Sequence, residues 1–297
     1  MLEFLKIIFS LEFLGAVLRV STPIVFATMA ALISNRAGVQ NIGIEGLMLI
    51  ASLVGVVGSA FTESAWLGLL FAVVSSVLLS WLFSVFVLKF KTNIVLAGIA
   101  INLLASGLTV FILYILTGDK GVSSGLASKT LPVIPFFNIP VLSGQNVLTW
   151  MAFISVPLVS TFLYKTKTGT YIRAVGEHGD AIATAGVSVY KTQRTALLLC
   201  GVFSGLGGAY MSMGYLSMFT KDMIAGRGFI AIAADAMGMG RPVLSTLIAL
   251  LFGATDALSN QLGSFNIPNE LVSLIPYVVT ITALAMYAAN NKKKQNQ

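Results

Sequence analysis

The sequence predicts an all-α multispanning membrane protein of about eight to ten transmembrane helices, some of them interrupted. Three observations predict it. The chain of 297 residues is 57% hydrophobic and 10% charged, with a mean hydropathy of +0.91. A soluble domain carries roughly a quarter of its residues as Asp, Glu, Lys and Arg. Apolar runs of about 20 residues, long enough to cross a bilayer, recur along the chain. Polar breaks separate these runs and hold most of the basic residues, a recurrence that one buried soluble core does not produce. Residues 1–297 are expected to form a single transmembrane domain.

The elements follow in order. Residues 1–14 read as amphipathic or as a partial span, because Glu3, Lys6 and Glu12 oppose clean insertion, and no cleavable leader is expected there. A span at 15–34 contains Arg19 and Pro23. Asn35, Arg36 and Gly38 mark a polar turn, and Asn41, Gly43, Glu45 and Gly46 open the next apolar run. Spans at 66–88, closed by Lys89 and Lys91, and at 92–117 come next. Residues 118–146, rich in Gly, Ser and Pro, suit an external loop. After a span at 147–164 comes the longest polar break, Lys165 to Arg194. Its centre reads as a short helix with Asp180 at or near the N-cap and Gly186 as a left-handed stop. A helix that short is marginal in water, so it must dock on something outside the loop. Residues 195–214 span again, YLSMFTKDMIAGRG interrupts, and FIAIAADAMGMGRP is too short and broken for a straight crossing. Spans at 243–262 and 270–289 precede the tail NNKKKQNQ.

By alternation Lys89, Lys91, the basic residues of 165–194 and Lys292–Lys294 share one side, so the 165–194 loop and the C-terminus are expected to be cytoplasmic. The net charge of +7 is scattered over span ends, which fits orientation in a membrane and not a nucleic-acid partner. Cys200 is the single cysteine, so no intrachain disulfide can form and no metal cluster is offered. The chain lacks GxxxxGK[ST], HExxH and Gly-x-Ser-x-Gly, and no catalytic residue or metal ligand is expected.

Polar residues inside apolar sequence mark a candidate solute path: Asn41, Glu45, Asn102, Phe229, Asp235 and Asp256. Charges there must face the interior, a partner or a cavity. Each also has a plainer reading, in which the acids cap broken helices, Asn102 joins two spans and Phe229 packs. Two Gly-interrupted segments, one with Glu45 and one with Asp235, hint at an internal repeat with a midplane site.

NIGIEGLMLI (41–50), TNIVLAGIAINLLASGLT (92–109) and RAVGEHGDAIATAGV (173–187), continued by FTKDMIAGRGFIAIAADAMGMGRP and LLFGATDAL, resemble a known family. It comprises the permease subunits of bacterial ATP-binding-cassette importers of the ribose and branched-chain amino acid class, and the likeness is greatest to the nucleoside (guanosine-type) permeases. The resemblance covers roughly 20–290. It implies a permease in the bacterial plasma membrane and a partner ATPase holding ATP with magnesium. It also implies a second, related permease in place of a second copy, an extracellular substrate-binding lipoprotein, and membrane lipid around the spans. This chain itself binds no cofactor in that scheme. The ATPase-coupling helix falls by motif on Arg173, Ala174, Gly176, Glu177, Asp180, Ala181, Ala183 and Gly186. Where the family often has Asn-Pro after Gly-Glu, His178-Gly179 stand here, removing the proline that preorganises a first helical turn. A sugar, riboflavin or other small-solute permease of the same architecture, and an ion-coupled secondary carrier using Asp235 or Asp256, are the alternatives.

Overall fold

A computed structural model describes residues 11–134 and 144–262, together with Val278, Ile281 and Thr282. The helices are α1 (Leu11–Arg36), α2 (Ile44–Thr62), α3 (Ala65–Ser84, continued as a π-helical turn Val85–Lys89) and α4 (Ile94–Thr117). They continue as α5 (Val147–Lys165), α6 (Lys167–Thr184), α7 (Val189–Tyr210, continued as a π-turn Met211–Tyr215), α8 (Arg227–Met237) and α9 (Pro242–Leu262). Val133–Ile134 and Gln145–Asn146 form a two-residue antiparallel pairing. Among the described residues, 7 helices are long and apolar enough to cross a membrane. The expected span at 270–289 lies outside the described residues.

Capping residues sharpen the helix starts. The side chains of Ser64, Asn93, Asn146, Thr166 and Ser188 each accept a first-turn backbone N–H. Gly118 ends α4 at φ +73.

α1 and α7 are the interior helices, 78% buried over their spanning windows, whereas α4 is 22% buried and stands at the rim. Glycines on α7 let α2 and α3 approach to backbone contact. A methyl at Gly208 would be driven into the Met48 carbonyl, and one at Gly205 would meet Val73 Cα at 2.8 Å. Ser52 Oγ closes the same seam by donating to the Gly208 carbonyl at 2.8 Å.

Pro23 removes the N–H that would bond the Arg19 carbonyl within α1. The Tyr210 hydroxyl of α7 donates to that carbonyl at 3.0 Å, so the defect is satisfied by a neighbour, as the interior of a bilayer requires.

Side-chain contacts sort the helix ends into two groups. Arg36, Gly176, Gln193 and Gly240 lie together, since Gln193 donates to the Ala37 carbonyl at 3.1 Å and Arg36 to the Gly240 carbonyl at 2.8 Å. At the opposite end Gln145 donates to the Gly15 carbonyl, Lys129 N–H to Ser59 Oγ, and Leu131 N–H to the Met213 carbonyl. The start of α1 therefore lies at the end that carries residues 118–134.

Candidate functional site

Two chain interruptions meet inside the bundle. α2 begins only after the irregular stretch Ala37–Gly43, and α8 begins at Gly226, which is left-handed at φ +80 and offers no side chain for its own cap. The Glu45 carboxylate serves instead. Its Oε1 accepts the Gly226 N–H at 2.7 Å and its Oε2 the Gly228 N–H at 2.8 Å. Two donors orphaned at a helix start are thus paired, and the negative charge sits at the positive end of the α8 dipole. A Cβ at Gly228 would lie 2.7 Å from Glu45 N, so the junction closes only on glycine. Beside it Arg227 donates to Asp256 Oδ2 of α9 at 2.8 Å and to the Ile224 carbonyl at 3.1 Å, forming a mostly shielded ion pair.

The start of α2 is fastened from the other side by Asn102, midway along α4. Its Oδ1 accepts the Gly46 N–H at 2.8 Å and its Nδ2 donates to the Ile42 carbonyl at 3.1 Å. Asn41 is fully buried. It turns the chain by accepting the Gly43 N–H at 2.9 Å and contacts Cys200 Sγ at 3.4 Å.

Asp235 does not join the junction. It stands one helix length away at the far end of α8, 1% exposed, where Asn35 Nδ2 donates to its Oδ2 at 2.7 Å. Next to it Arg36 holds the α8–α9 turn by donating to the Gly240 and Met239 carbonyls at 2.8 and 2.9 Å. A polar cleft of about 170 Å³ opens here between α1, α6 and this turn, lined by Asn35, Arg36, Arg173, Gly176, Glu177, Met239 and Gly240. Phe229, alone of the six expected path residues, is exposed, at 47%.

Residues 165–194 are more ordered than a polar loop. Helix α6 occupies most of them and breaks at His178 (φ −148, ψ 78), so a second short helix starts at Gly179 and ends at Thr184. The break sits at His178-Gly179, and it leaves Asp180 in the first turn, near the N-cap as expected, where its charge complements the helix dipole. Gly186 stops the helix as expected, at φ +83, with Gly186 N–H bonding the Ala183 carbonyl at 3.0 Å. The residues expected in coupling divide into two groups. Arg173 donates to the Leu163 carbonyl at 3.0 Å and lies over the Tyr164 ring, half-buried Ala174 turns inward with it, and Gly176 sits so close to α1 that a methyl would be driven into the Arg36 carbonyl. Glu177, Asp180, Ala181, Ala183 and Gly186 are exposed.

Sequence reasoning placed Asn35 and Arg36 only in a polar turn and singled out neither Arg227 nor Gly228. Arg227 sat between two glycines at a helix boundary and Arg36 two residues before one, which was the available signal. That Glu45 caps a broken helix was the plainer reading of its sequence; that the helix it caps is α8 and not its own left no signal.

The sequence profile described as branched-chain amino acid transport system, permease component, matches residues 13–284. The guanosine permease protein NupQ of Bacillus subtilis is 34% identical over 91% of this chain and 89% of its own. TsgC13 of Haloferax volcanii, an ABC permease protein provisionally named for glucose, is 30% identical over 93% of this chain and 92% of its own. The guanosine permease protein NupP of Bacillus subtilis is 28% identical over 93% of this chain and 82% of its own. No solved structure matches. With the family profile running almost from end to end over a bundle of interrupted membrane helices, the chain belongs to the branched-chain amino acid transport permease family, and is a multi-pass permease subunit of an ATP-binding-cassette transporter with no ATPase motif of its own.

Proposed function

We propose that the chain forms one half of the membrane pathway of an importer that carries nucleosides into the cell. It would be driven by a separate ATPase subunit that binds ATP with magnesium and fed by an extracellular substrate-binding lipoprotein. The short helix Gly179–Thr184 carries this reading. It is exposed, too short to be stable by itself, and rooted through Gly176 on the same α1 end that grips α8. An ATPase groove that shifts this helix would push on Arg36, through it on the α8–α9 turn, and along α8 on the Glu45 junction.

The end that holds this helix also gathers Arg36, Lys89, Lys91, Lys165, Lys167, Arg173, Lys191, Arg194 and Arg241, which supports a cytoplasmic position. The opposite end, with residues 118–134, would then be extracellular. Nucleosides are supported by the names of NupQ and NupP. Likeness to two distinct guanosine permease proteins of one organism favours a related second permease over a second copy of this chain. The apolar outer faces of α3 and α4 would meet lipid. Phe229 would border the path, with Glu45, Asn102 and Asp256 as the frame behind it, while Asn41 and Asp235 hold the ends of the broken segments. A sugar permease is the second reading, favoured by TsgC13.

The test is uptake of radiolabelled guanosine by cells with the wild-type chain, with a deletion, and with Ala183→Arg. The reading expects uptake lost in the deletion and in the variant, with the variant still inserted in the membrane. Loss in the deletion alone would remove the coupling role of the short helix. Uptake that survives the deletion would remove guanosine as the substrate.

A further inference from the structure

The stretch between α7 and α8 is irregular where a membrane protein can least tolerate it. Ser217, Asp222, Ala225 and Gly226 are all left-handed, at φ +59, +52, +51 and +80. Part of the stretch is held by the 118–134 segment: Phe219 N–H donates to Ser123 Oγ at 2.8 Å and Lys221 N–H to the Gly121 carbonyl at 2.7 Å. Lys221, Asp222 and Ala225 are nevertheless exposed.

Depth makes this informative. Ser106 stands midway along α4, and its hydroxyl donates to Asp222 Oδ1 at 2.8 Å. Irregular backbone at half the depth of a span persists only if it is buried in protein or lines a water-filled cavity, and a carboxylate is expensive against lipid. Asp222 is exposed on this chain, so at this depth its carboxylate must face water or a polar surface and not lipid.

Its chemistry is also unspent. Ser106 fixes one oxygen, whereas no side chain or backbone group among the described residues donates to Oδ2, and no Lys or Arg pairs with the carboxylate there. Arg227, the nearest cation of the junction, is taken by Asp256 and the Ile224 carbonyl. Asp222 and Glu45 lie within electrostatic reach of each other, which puts Asp222 beside the junction of the two broken helices.

We infer that Asp222, oriented by Ser106, is a solute contact on the translocation path and accepts hydrogen bonds from a vicinal diol. A carboxylate is an acceptor-only group with two coplanar oxygens, and two adjacent hydroxyls are its neutral donor complement. An uncharged diol needs no counter-ion on the path, and the unpaired Asp222 carboxylate repels anions. Ribose in a nucleoside and a free hexose share this chemistry. The inference rests on the importer reading and deepens it by naming the part of the solute that this chain grips.

The test uses the assembled transporter, with its ATPase, second permease and binding protein, in proteoliposomes. The readout is the ratio of uridine to 2′-deoxyuridine transport efficiency. The binding protein contributes equally with every permease variant, so a change in this ratio belongs to the permease. Asp222→Asn, nearly isosteric, and Asp222→Ala should each lower the ratio at least fivefold, and Ser106→Ala should lower it by less. If wild type carries glucose and not uridine, the same fall read with glucose and 2-deoxyglucose supports the diol contact and moves the substrate to the sugar. An unchanged ratio, or equal loss of both solutes in all three variants, overturns the Asp222 contact while leaving the importer reading intact. Wild type that carries none of these solutes overturns both.

Discussion

The Glu45 carboxylate and the backbone amide of Gly228 are 2.8 Å apart although 183 residues separate them in the chain. This bond, with its twin to Gly226, locks the start of α2 onto the start of α8 and makes one buried unit of two interruptions. Glu45→Ala should leave both amides without an acceptor, and each buried orphan costs about 1–3 kcal/mol. A loss of about 3 kcal/mol, seen as a lowered thermal midpoint of the detergent-solubilised chain, is expected. Gly228→Ala should destabilise similarly by steric overlap, with the carboxylate still present.

Arg227 and Asp256 form the ion pair next to that junction. Removing either partner should cost about 3 kcal/mol, because the other charge stays in a poorly hydrated place. The Arg227→Ala/Asp256→Ala double variant should be more stable than the sum of the single losses implies. Thermal midpoints of the four chains test this, and strict additivity would mean that the two charges do not feel each other.

Gly176 and Ala183 lie on opposite sides of the His178 break, and their variants should fail differently. Gly176→Val should leave the ATPase co-purifying with the permease but lower uptake at least tenfold, since the wedge disturbs the seat on α1. Ala183→Arg should lose the ATPase itself. Co-purification measured beside uptake separates the two failures.

Tyr210→Phe should cost about 1 kcal/mol by stripping the Arg19 carbonyl of its donor. In a Pro23→Ala background the same change should cost little, because alanine returns the N–H that proline removed. Unfolding midpoints of both pairs of chains check it.

The long spans were legible in the sequence because apolar length is a direct consequence of bilayer thickness. The glycines near Glu45 correctly marked a break, and Gly186 correctly marked a stop. The helix Lys167–Glu177 was not legible. Its inward face is built largely from Gly169, Gly176 and two apolar residues, Ile172 and Val175, and glycines that serve as contact surface look in sequence like helix breakers. Asp235 carried the same signal as Glu45, an acid beside glycines in apolar sequence, yet it sits at the other end of α8 with Asn35. Composition reveals that an intramembrane acid needs a partner but not which one. Asp222 drew no attention at all, since a Lys-Asp pair between two apolar runs resembles an ordinary surface turn until its bond to the middle of α4 sets its depth.

The seat of Gly176 on the Arg36 carbonyl is a meeting of main chain with main chain. It has no rotamer to flex and no side-chain charge to screen. Ionic strength should therefore divide the machine into two classes of joint. The screening length shrinks from about 10 Å at 0.1 M salt to about 3 Å at 1 M, which loosens charged surfaces between subunits and leaves a steric seat as stiff as before. A transporter slowed by salt should lose complexes and keep its stroke: turnover per intact assembly stays constant while the number of assemblies falls.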